Sequence, residues 1–284
     1  MSETRIIDGK SLALEIKKEL ASKISLSPDK PNLAVVLVGD DEASLIYDRN
    51  KQKAAQSIGM NCEIFHLPEA TSQEEVLTLV ERLNTDEAVN GIIVQLPLPK
   101  HINQLDILMK ISPEKDVDGF SPINTGLLQA NSPDAMIAAT PKGILALLKS
   151  VCSDLSGKKV VIVGRSNIVG KPLAALLLNQ NCTVTVVHSK TVDIMSETKQ
   201  ADVVIAACGC PKLIKKEWIK NDAILVDVGI NRTEGKLCGD VDFDDVNGKA
   251  AFVTPVPGGV GPMTVAMLLS NTYEAFLQQK TLKK

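Results

Sequence analysis

At 284 residues the chain is too long for one small core and suits two α/β lobes. Hydrophobic residues make up 44% and charged residues 23%, an ordinary globular balance, while aromatics at 3% leave the core to Val, Ile, Leu and Ala. A net charge of −3 argues against nucleic acid or an anionic membrane as the main partner, and no apolar run reaches the roughly 18 residues of a membrane span.

The polar start Met1-Ser2-Glu3-Thr4-Arg5 lacks a signal-peptide core, so a cytoplasmic protein is expected. Of the six cysteines only Cys208-Gly209-Cys210 form a close pair. That C-x-C has no histidine nearby to complete a zinc set, so buried thiols are expected and no metal site. His66 and His101 stand alone and are given no catalytic role.

Apolar periodicity then orders the chain. Lys10–Ile24 is spaced as a helix. Leu33–Val38, Cys62–Leu67 and Gly91–Leu96 read as buried strands, with Ala43–Ile58 and Ser72–Leu83 as the helices between them. Ser72 and Glu75 have the spacing of a capping box. From Asp116 to Thr140 the pattern breaks into Gly, Pro, Asn and Ser. A second series follows, with strands at Lys159–Val163, Thr183–Val187, Ala201–Ala206 and Ala223–Val228 and a helix at Lys171–Leu178. The stiff loop Thr254–Gly261 leads into a last helix, Pro262–Gln279, with Pro in its first turn. Strands alternating with helices imply parallel sheets. The expected fold is α/β in two lobes, the second a Rossmann-like parallel sheet, with an interdomain cleft. Residues 1–139 form the first domain, to which helix 262–284 returns, and 140–261 form the second.

In the second lobe, Val163-Gly164-Arg165-Ser166-Asn167-Ile168-Val169-Gly170 joins a buried strand to a helix start. A glycine there lets phosphate approach the backbone, and the helix N-terminus supplies donors. The motif is not a full G-x-G-x-x-G, and a purely structural turn explains its glycines equally well. The next strand ends in Val187-His188-Ser189, without the acid that binds ribose hydroxyls in NAD sites. Arg165 and Ser189 can instead hold a 2′-phosphate, which favours NADP.

In the first lobe, a helix from Ala43 onward puts Ser44, Tyr47 and Lys51 on one face. Gln95 is a lone amide at the carboxyl end of an apolar strand, where open α/β sheets bind ligands. Lys115-Asp116-Val117-Asp118-Gly119 sets two carboxylates in the loop beyond.

These residues carry a specific resemblance. The ordered set Tyr47-x-x-x-Lys51, Gly91-Ile-Ile-Val-Gln-Leu-Pro-Leu-Pro99, Lys115-Asp-Val-Asp-Gly119, Thr140-Pro-Lys-Gly143, Gly164–Gly170 and Thr254–Thr264 resembles the bifunctional methylenetetrahydrofolate dehydrogenase/cyclohydrolases of the FolD family. The resemblance implies oxidation of 5,10-methylenetetrahydrofolate with NADP+, then hydrolysis of the methenyl product to 10-formyltetrahydrofolate. It implies that Lys51 is the cyclohydrolase lysine, oriented by Gln95, that Tyr47 packs on the folate, and that Asp118 binds the pterin. Ser44, Pro257, Gly258 and Gly259 border the folate on the same reading. Thr140, Gly164, Arg165, Ser166, Ile168, Val169, Gly170, His188, Ser189, Gly209, Ile230 and Thr264 border the cofactor. It also implies a homodimer in one-carbon metabolism.

Three positions depart from the family pattern. Asp48 stands where an apolar residue is usual, Leu127 where arginine is common, and Ala139 where cysteine is frequent. The rival readings are a dehydrogenase without cyclohydrolase activity, against which Lys51 argues, a methyltransferase, and a non-catalytic NADP-binding regulator. The last two leave the first-lobe set unused.

Overall fold

The computed structural model of the chain describes residues 3–233 and 235–282, without the side chains of 42–44, 46, 47 and 282. In chain order the first elements are β1 (Arg5–Ile6), α1 (Gly9–Ser25), β2 (Asn32–Val38), α2 (Glu42–Ser57), β3 (Asn61–Leu67), α3 (Gln73–Thr85) and β4 (Gly91–Val94). Helices α4 (Gln104–Lys110), α5 (Pro122–Gln129) and α6 (Ala139–Val151) follow. The second alternating series is β5 (Lys159–Val163), α7 (Gly170–Leu178), β6 (Thr183–Val187), α8 (Ile194–Thr198), β7 (Val203–Ala206) and β8 (Ile224–Asp227). Last come β9 (Asn231–Thr233), β10 (Lys236–Cys238), α9 (Phe243–Val246), β11 (Phe252–Val253) and α10 (Val260–Leu282).

The chain divides into two compact units, one of residues 14–139 with 265–284, the other of residues 1–13 with 140–264. The first holds a three-stranded parallel sheet in the order β3-β2-β4. Six of the seven β2 residues are buried, as a central strand covered on both faces requires. Helix α3 starts with the expected capping box, in which the Ser72 side chain accepts from the Glu75 N–H and the Glu75 carboxylate accepts from the Ser72 N–H. Asn271 of α10, fully buried, donates to the carbonyls of Val117 and Ile137, both at 2.8 Å. Those bonds tie the terminal helix to the loop beyond β4.

The second unit is a six-stranded parallel sheet in the order β1-β11-β8-β7-β5-β6. Val161, Val204 and Leu225 from its central strands build the core with Ala201, Ile214 and Val246. The grouping of residues 1–13 differs from the sequence expectation, and pairing explains it. Arg5 and Ile6 register with Phe252 and Val253, so the first strand extends this sheet. Thr4 Oγ1 donates to the Ala250 carbonyl at 2.7 Å, and the Arg5 guanidinium lies 4.0 Å from the Phe252 ring centre. The division of the chain falls after Thr264 within α10, not at its start.

Candidate active site

Lys51 lies in the third turn of α2 and is almost fully buried, at 5% exposure. Its ammonium donates to Gln95 Oε1 at 2.6 Å and to Asp48 Oδ1 at 3.1 Å. Asp48 precedes it by one helical turn on the same face and is 1% exposed. Gln95 is held by its own strand. Its N–H donates to Val36 O, extending the β4 ladder by one residue, and its side-chain amide donates to Leu96 O at 2.8 Å. The amide therefore has a fixed flip, with its oxygen toward the lysine. Ser44 and Tyr47 fall on α2, and their side chains lie outside the described residues.

The loop beyond β4 separates the two carboxylates into different jobs. Lys115 donates to the carbonyls of Leu83, Asn84 and Asp86 and closes the end of α3. Asp116 accepts from the N–H groups of Phe120 and Ser121 and from the Asn124 side chain, so it is spent on the turn. Gly119 has φ +68°, and a Cβ there would come within 2.6 Å of the Ala138 nitrogen, so only glycine makes this bend. Asp118 takes no part in those bonds and is half-buried. Burial raises its carboxyl to about 6, against the opposing pull of the Lys51 charge, with Asp116 and Asp48 pushing the same way as burial. Lys51, Gln95, Asp48 and Asp118 thus share one electrostatic neighbourhood at the carboxyl ends of β2 and β4.

The cofactor candidates line the carboxyl edge of the six-stranded sheet. The sequence passes from β5 to β6 on one side and then to β7 on the other, so the strand order reverses beside β5, the usual place for a ligand. There Gly164 has φ +131°, and a Cβ would lie 2.1 Å from the Ala207 carbonyl oxygen. A Cβ on Gly170 would lie 2.3 Å from the Gly164 oxygen. The two glycines bring the β5 turn, the β7 loop and the α7 N-terminus together with no side chain between them. Ser166 Oγ accepts from the N–H groups of Val169 and Gly170, so it orders the turn while its hydroxyl proton stays available. Arg165, Ser166 and Ile168 are exposed, and Val169 is half-buried.

Val163 and Val187 are register partners, which puts Arg165 and the His188-Ser189 pair just beyond the ends of neighbouring strands. The backbone there is folded back on itself, with the Lys190 N–H donating to His188 Nδ1 and the His188 N–H to Thr191 Oγ1. Ser189 is exposed and Ile230, past β8, is 72% exposed. Thr140 and Thr264 hydroxyls meet at 2.9 Å. Pro257, Gly258 and Gly259 belong to this same unit, where the Lys10 N–H donates to Gly258 O and a Cβ on Gly9 would strike the Gly259 oxygen. A glycine cradle, an exposed arginine and a β6 end without an acid together fit a dinucleotide bearing a 2′-phosphate.

Two residues absent from the sequence expectations organise that edge. Asp240 Oδ2 accepts from the N–H groups of Cys208 and Gly209 at 2.7 and 2.9 Å, pinning the β7 loop. Asp227 accepts from the N–H groups of Gly229, Asp240 and Val241. Burial raises the Asp227 carboxyl to about 6 despite those bonds. The one available signal was a glycine beside each carboxylate, since a Cβ on Gly239 or Gly229 would overlap Asp227 or Asp240. In the sequence, Asp48 stands out only as a departure from the family pattern. Of the other two departures, Ala139 is buried at the start of α6, and Leu127 lines a surface groove with Pro113 and Met136.

Comparison with known proteins identifies the family. Residues 7–118 match the model of the tetrahydrofolate dehydrogenase/cyclohydrolase catalytic domain, and residues 138–280 that of its NAD(P)-binding domain. The bifunctional protein FolD of Listeria innocua is 53% identical over 274 residues, covering 95% of this chain and 96% of the relative. The crystal structure of the bifunctional FolD enzyme from Campylobacter jejuni is 48% identical with a TM-score of 0.95, covering 97% of this chain and 99% of that one. A Trypanosoma brucei FolD, described as complexed with NADP cofactor and an inhibitor, is 41% identical with a TM-score of 0.93 over 98% of this chain and 99% of that one. With both domain models matched and such identity along nearly its whole length, the chain belongs to the tetrahydrofolate dehydrogenase/cyclohydrolase family.

Proposed function

We propose that the protein is a bifunctional NADP-dependent enzyme of one-carbon metabolism. It oxidises 5,10-methylenetetrahydrofolate to the methenyl form and hydrolyses that product to 10-formyltetrahydrofolate. The observation that carries the reading is Lys51, buried with its ammonium fixed by Gln95 and Asp48 in the neighbourhood of Asp118.

Asp118 accepts paired hydrogen bonds from the amino-pyrimidine edge of the pterin, as carboxylates do from guanidinium. Tyr47 offers its ring to the folate and Ser44 helps orient Tyr47 or Lys51. Gln95 orients Lys51 without adding charge. Lys51 moves the protons of hydrolysis, from the attacking water and toward the folate nitrogen that leaves. Pro257, Gly258 and Gly259 border the folate.

Gly164, Gly170 and the loop of Arg165, Ser166, Ile168 and Val169 would hold the pyrophosphate and 2′-phosphate, with His188 and Ser189 beside them. Thr140, Gly209, Ile230 and Thr264 would complete the walls of that site. NADP, when bound, supplies the hydride acceptor. Mixing the protein with methylenetetrahydrofolate and NADP+ and recording the absorbance of methenyltetrahydrofolate and reduced cofactor tests the reading. Formation of neither rejects it.

We also place the protein in the cytoplasm and read it as a homodimer. All six cysteines are free, as a reducing compartment keeps them, and no described helix is long and apolar enough to cross a membrane. Around the β9–β10 hairpin, Ile230, Leu237 and Phe243 are 72%, 44% and 38% exposed, an apolar edge that a second copy can cover. A monomer mass in solution at micromolar concentration rejects the dimer.

A further inference from the structure

Asp48 and Lys51 form an ion pair out of contact with bulk water. Their side chains are 1% and 7% exposed, their charged atoms are 3.1 Å apart, and both sit on α2 one turn apart. Only one carboxylate oxygen is used. Asp48 Oδ2 is the one buried side-chain oxygen or nitrogen among the described residues that has no hydrogen-bond partner. An orphaned oxygen on a buried carboxylate is costly, so the charged form of Asp48 is held poorly unless a proton arrives. Cys62 of β3 feels both charges and its thiol is pushed up to about 11 by burial, Asp118 feels both from the loop beyond β4, and Gln95 is neutral. Burial pushes the Asp48 carboxyl above its ordinary range, and the Lys51 charge opposes that.

We propose that Asp48 is a positioning residue that stores the Lys51 proton during hydrolysis. The proposal rests on the reading of Lys51 as the hydrolytic base. At rest the pair carries one proton, on the amine. The methenyl substrate is a cation, and its arrival disfavours a second positive charge at Lys51. The proton crosses the 3.1 Å contact to Asp48 Oδ1, giving a neutral acid and a neutral amine. Water then attacks the methenyl carbon, a C–O bond forms, and the amine takes the proton the water loses. As the carbinol collapses its hydroxyl proton is relayed to the folate nitrogen, which takes the electron pair of the breaking C–N bond. When the product leaves, Lys51 passes its proton to water entering the site and takes the stored proton back from Asp48. One proton leaves per turnover, as conversion of a cationic substrate and water to a neutral formyl product requires.

Proton storage leaves a signature in pH. With Asp48 present, the neutral amine forms by a transfer inside the pair, which does not depend on pH until the pair takes up a second proton in acid. Without it the amine must lose its proton to water before each turnover, so the acid limb moves up. For Asp48→Asn and for Asp48→Val, kcat of hydrolysis at saturating folate should show its acid limb shifted upward by at least about one pH unit. Loss of the Asp48 charge lowers the Asp118 carboxyl, so the dehydrogenase profile of the same samples should show no upward shift, which separates the two groups. An unmoved limb, or a uniform loss at every pH, makes Asp48 a packing residue and overturns the proposal. Asp48→Asn keeps a polar contact for the buried Lys51 ammonium, which Asp48→Val strands, so Asp48→Asn keeps a folded sample in hand and the unfolding temperatures of both check it. The double variant Asp48→Val with Lys51→Met tests the underlying reading separately. If it still hydrolyses the methenyl substrate, Lys51 is not the base and the storage role falls with it.

Discussion

The carboxylate of Asp240 accepts backbone hydrogen bonds from Cys208 and Gly209, and Asp227 in turn accepts the backbone N–H of Asp240 at 2.8 Å. The β7 loop is therefore braced from β8 through a carboxylate that sits fully buried. Asp240→Ala takes the acceptor from three donors, the Cys208 and Gly209 N–H groups and the Asn231 side-chain amide, at about 1–3 kcal/mol for each that stays buried. Thermal unfolding should shift downward, and the Michaelis constant for NADP+ should rise while that for folate holds. Equal rises for both would make the brace a general fold element with no tie to the cofactor loop.

Arg165 is exposed beyond β5, and β6 beside it ends in His188-Ser189 with no acid. Arg165→Ala should raise the Michaelis constant for NADP+ far more than that for NAD+. A charge-assisted contact to phosphate is worth on the order of 1.5–3 kcal/mol, about ten- to a hundred-fold. Parallel kinetics with the two cofactors decide it, and equal effects, or a wild-type preference for NAD+, reject the role.

The two preceding residues differ in how readable they were. Arg165 is announced by a strand, a glycine and a helix start in succession, a local pattern. Asp240 acts on a loop more than 30 residues earlier, and only the folded chain joins them. The same contrast runs through the fold. Buried parallel strands such as β2 and β5 are continuous apolar runs and stand out. Helices α4, α5 and α6 carry Gly, Pro or few residues, and β1 and β11 have two residues each, too short for any period. Lys51 and Gln95 were legible by spacing and strand position. The Asp48 contact was not, because a charge inside a polar helix face looks solvated until its burial is known.

Asp118 gives the site a pH dependence with opposite effects on binding and on stability. Its carboxyl titrates at about 6 in the folded protein against an ordinary 3.8, mainly through burial. The folded state holds the proton more tightly, so the stability from Asp118 is full below the ordinary value and is lost as pH rises through about 6. Pterin binding needs the ionised form, so the Michaelis constant for folate should rise in both reactions as pH falls below about 6. Asp118→Asn presents a donor to a donor edge and should weaken both reactions together, by about 1–3 kcal/mol, with that acid limb gone. Initial rates from pH 5 to 8 on both proteins check it. A limb that persists in the variant assigns the titration to another group.

Lys51 separates the two reactions. Hydride transfer needs the methylene carbon aligned with its acceptor, and the folate nitrogen lone pair helps expel hydride, so positioning suffices without a protein base. Hydrolysis needs proton transfers, and losing a general acid–base group costs at least about a hundred-fold. The structure changes how the substitution must be made. Lys51→Met alone strands the Asp48 carboxylate in a buried site, and breaking a buried pair on one side costs about 3–5 kcal/mol unless the survivor is neutralised. The single variant should therefore unfold at lower temperature, with the loss smaller in acid, where Asp48 takes a proton. Adding Asp48→Val should recover most of that loss, since it removes the stranded charge and keeps an apolar side chain in the space. In both variants dehydrogenase activity should persist and methenyltetrahydrofolate should accumulate. Single-turnover absorbance separates formation of the methenyl species from its decay. Equal loss of both reactions in the folded double variant would make Lys51 a binding residue, and an unshifted unfolding temperature in the single variant would mean that the Asp48–Lys51 pair does not bear on stability.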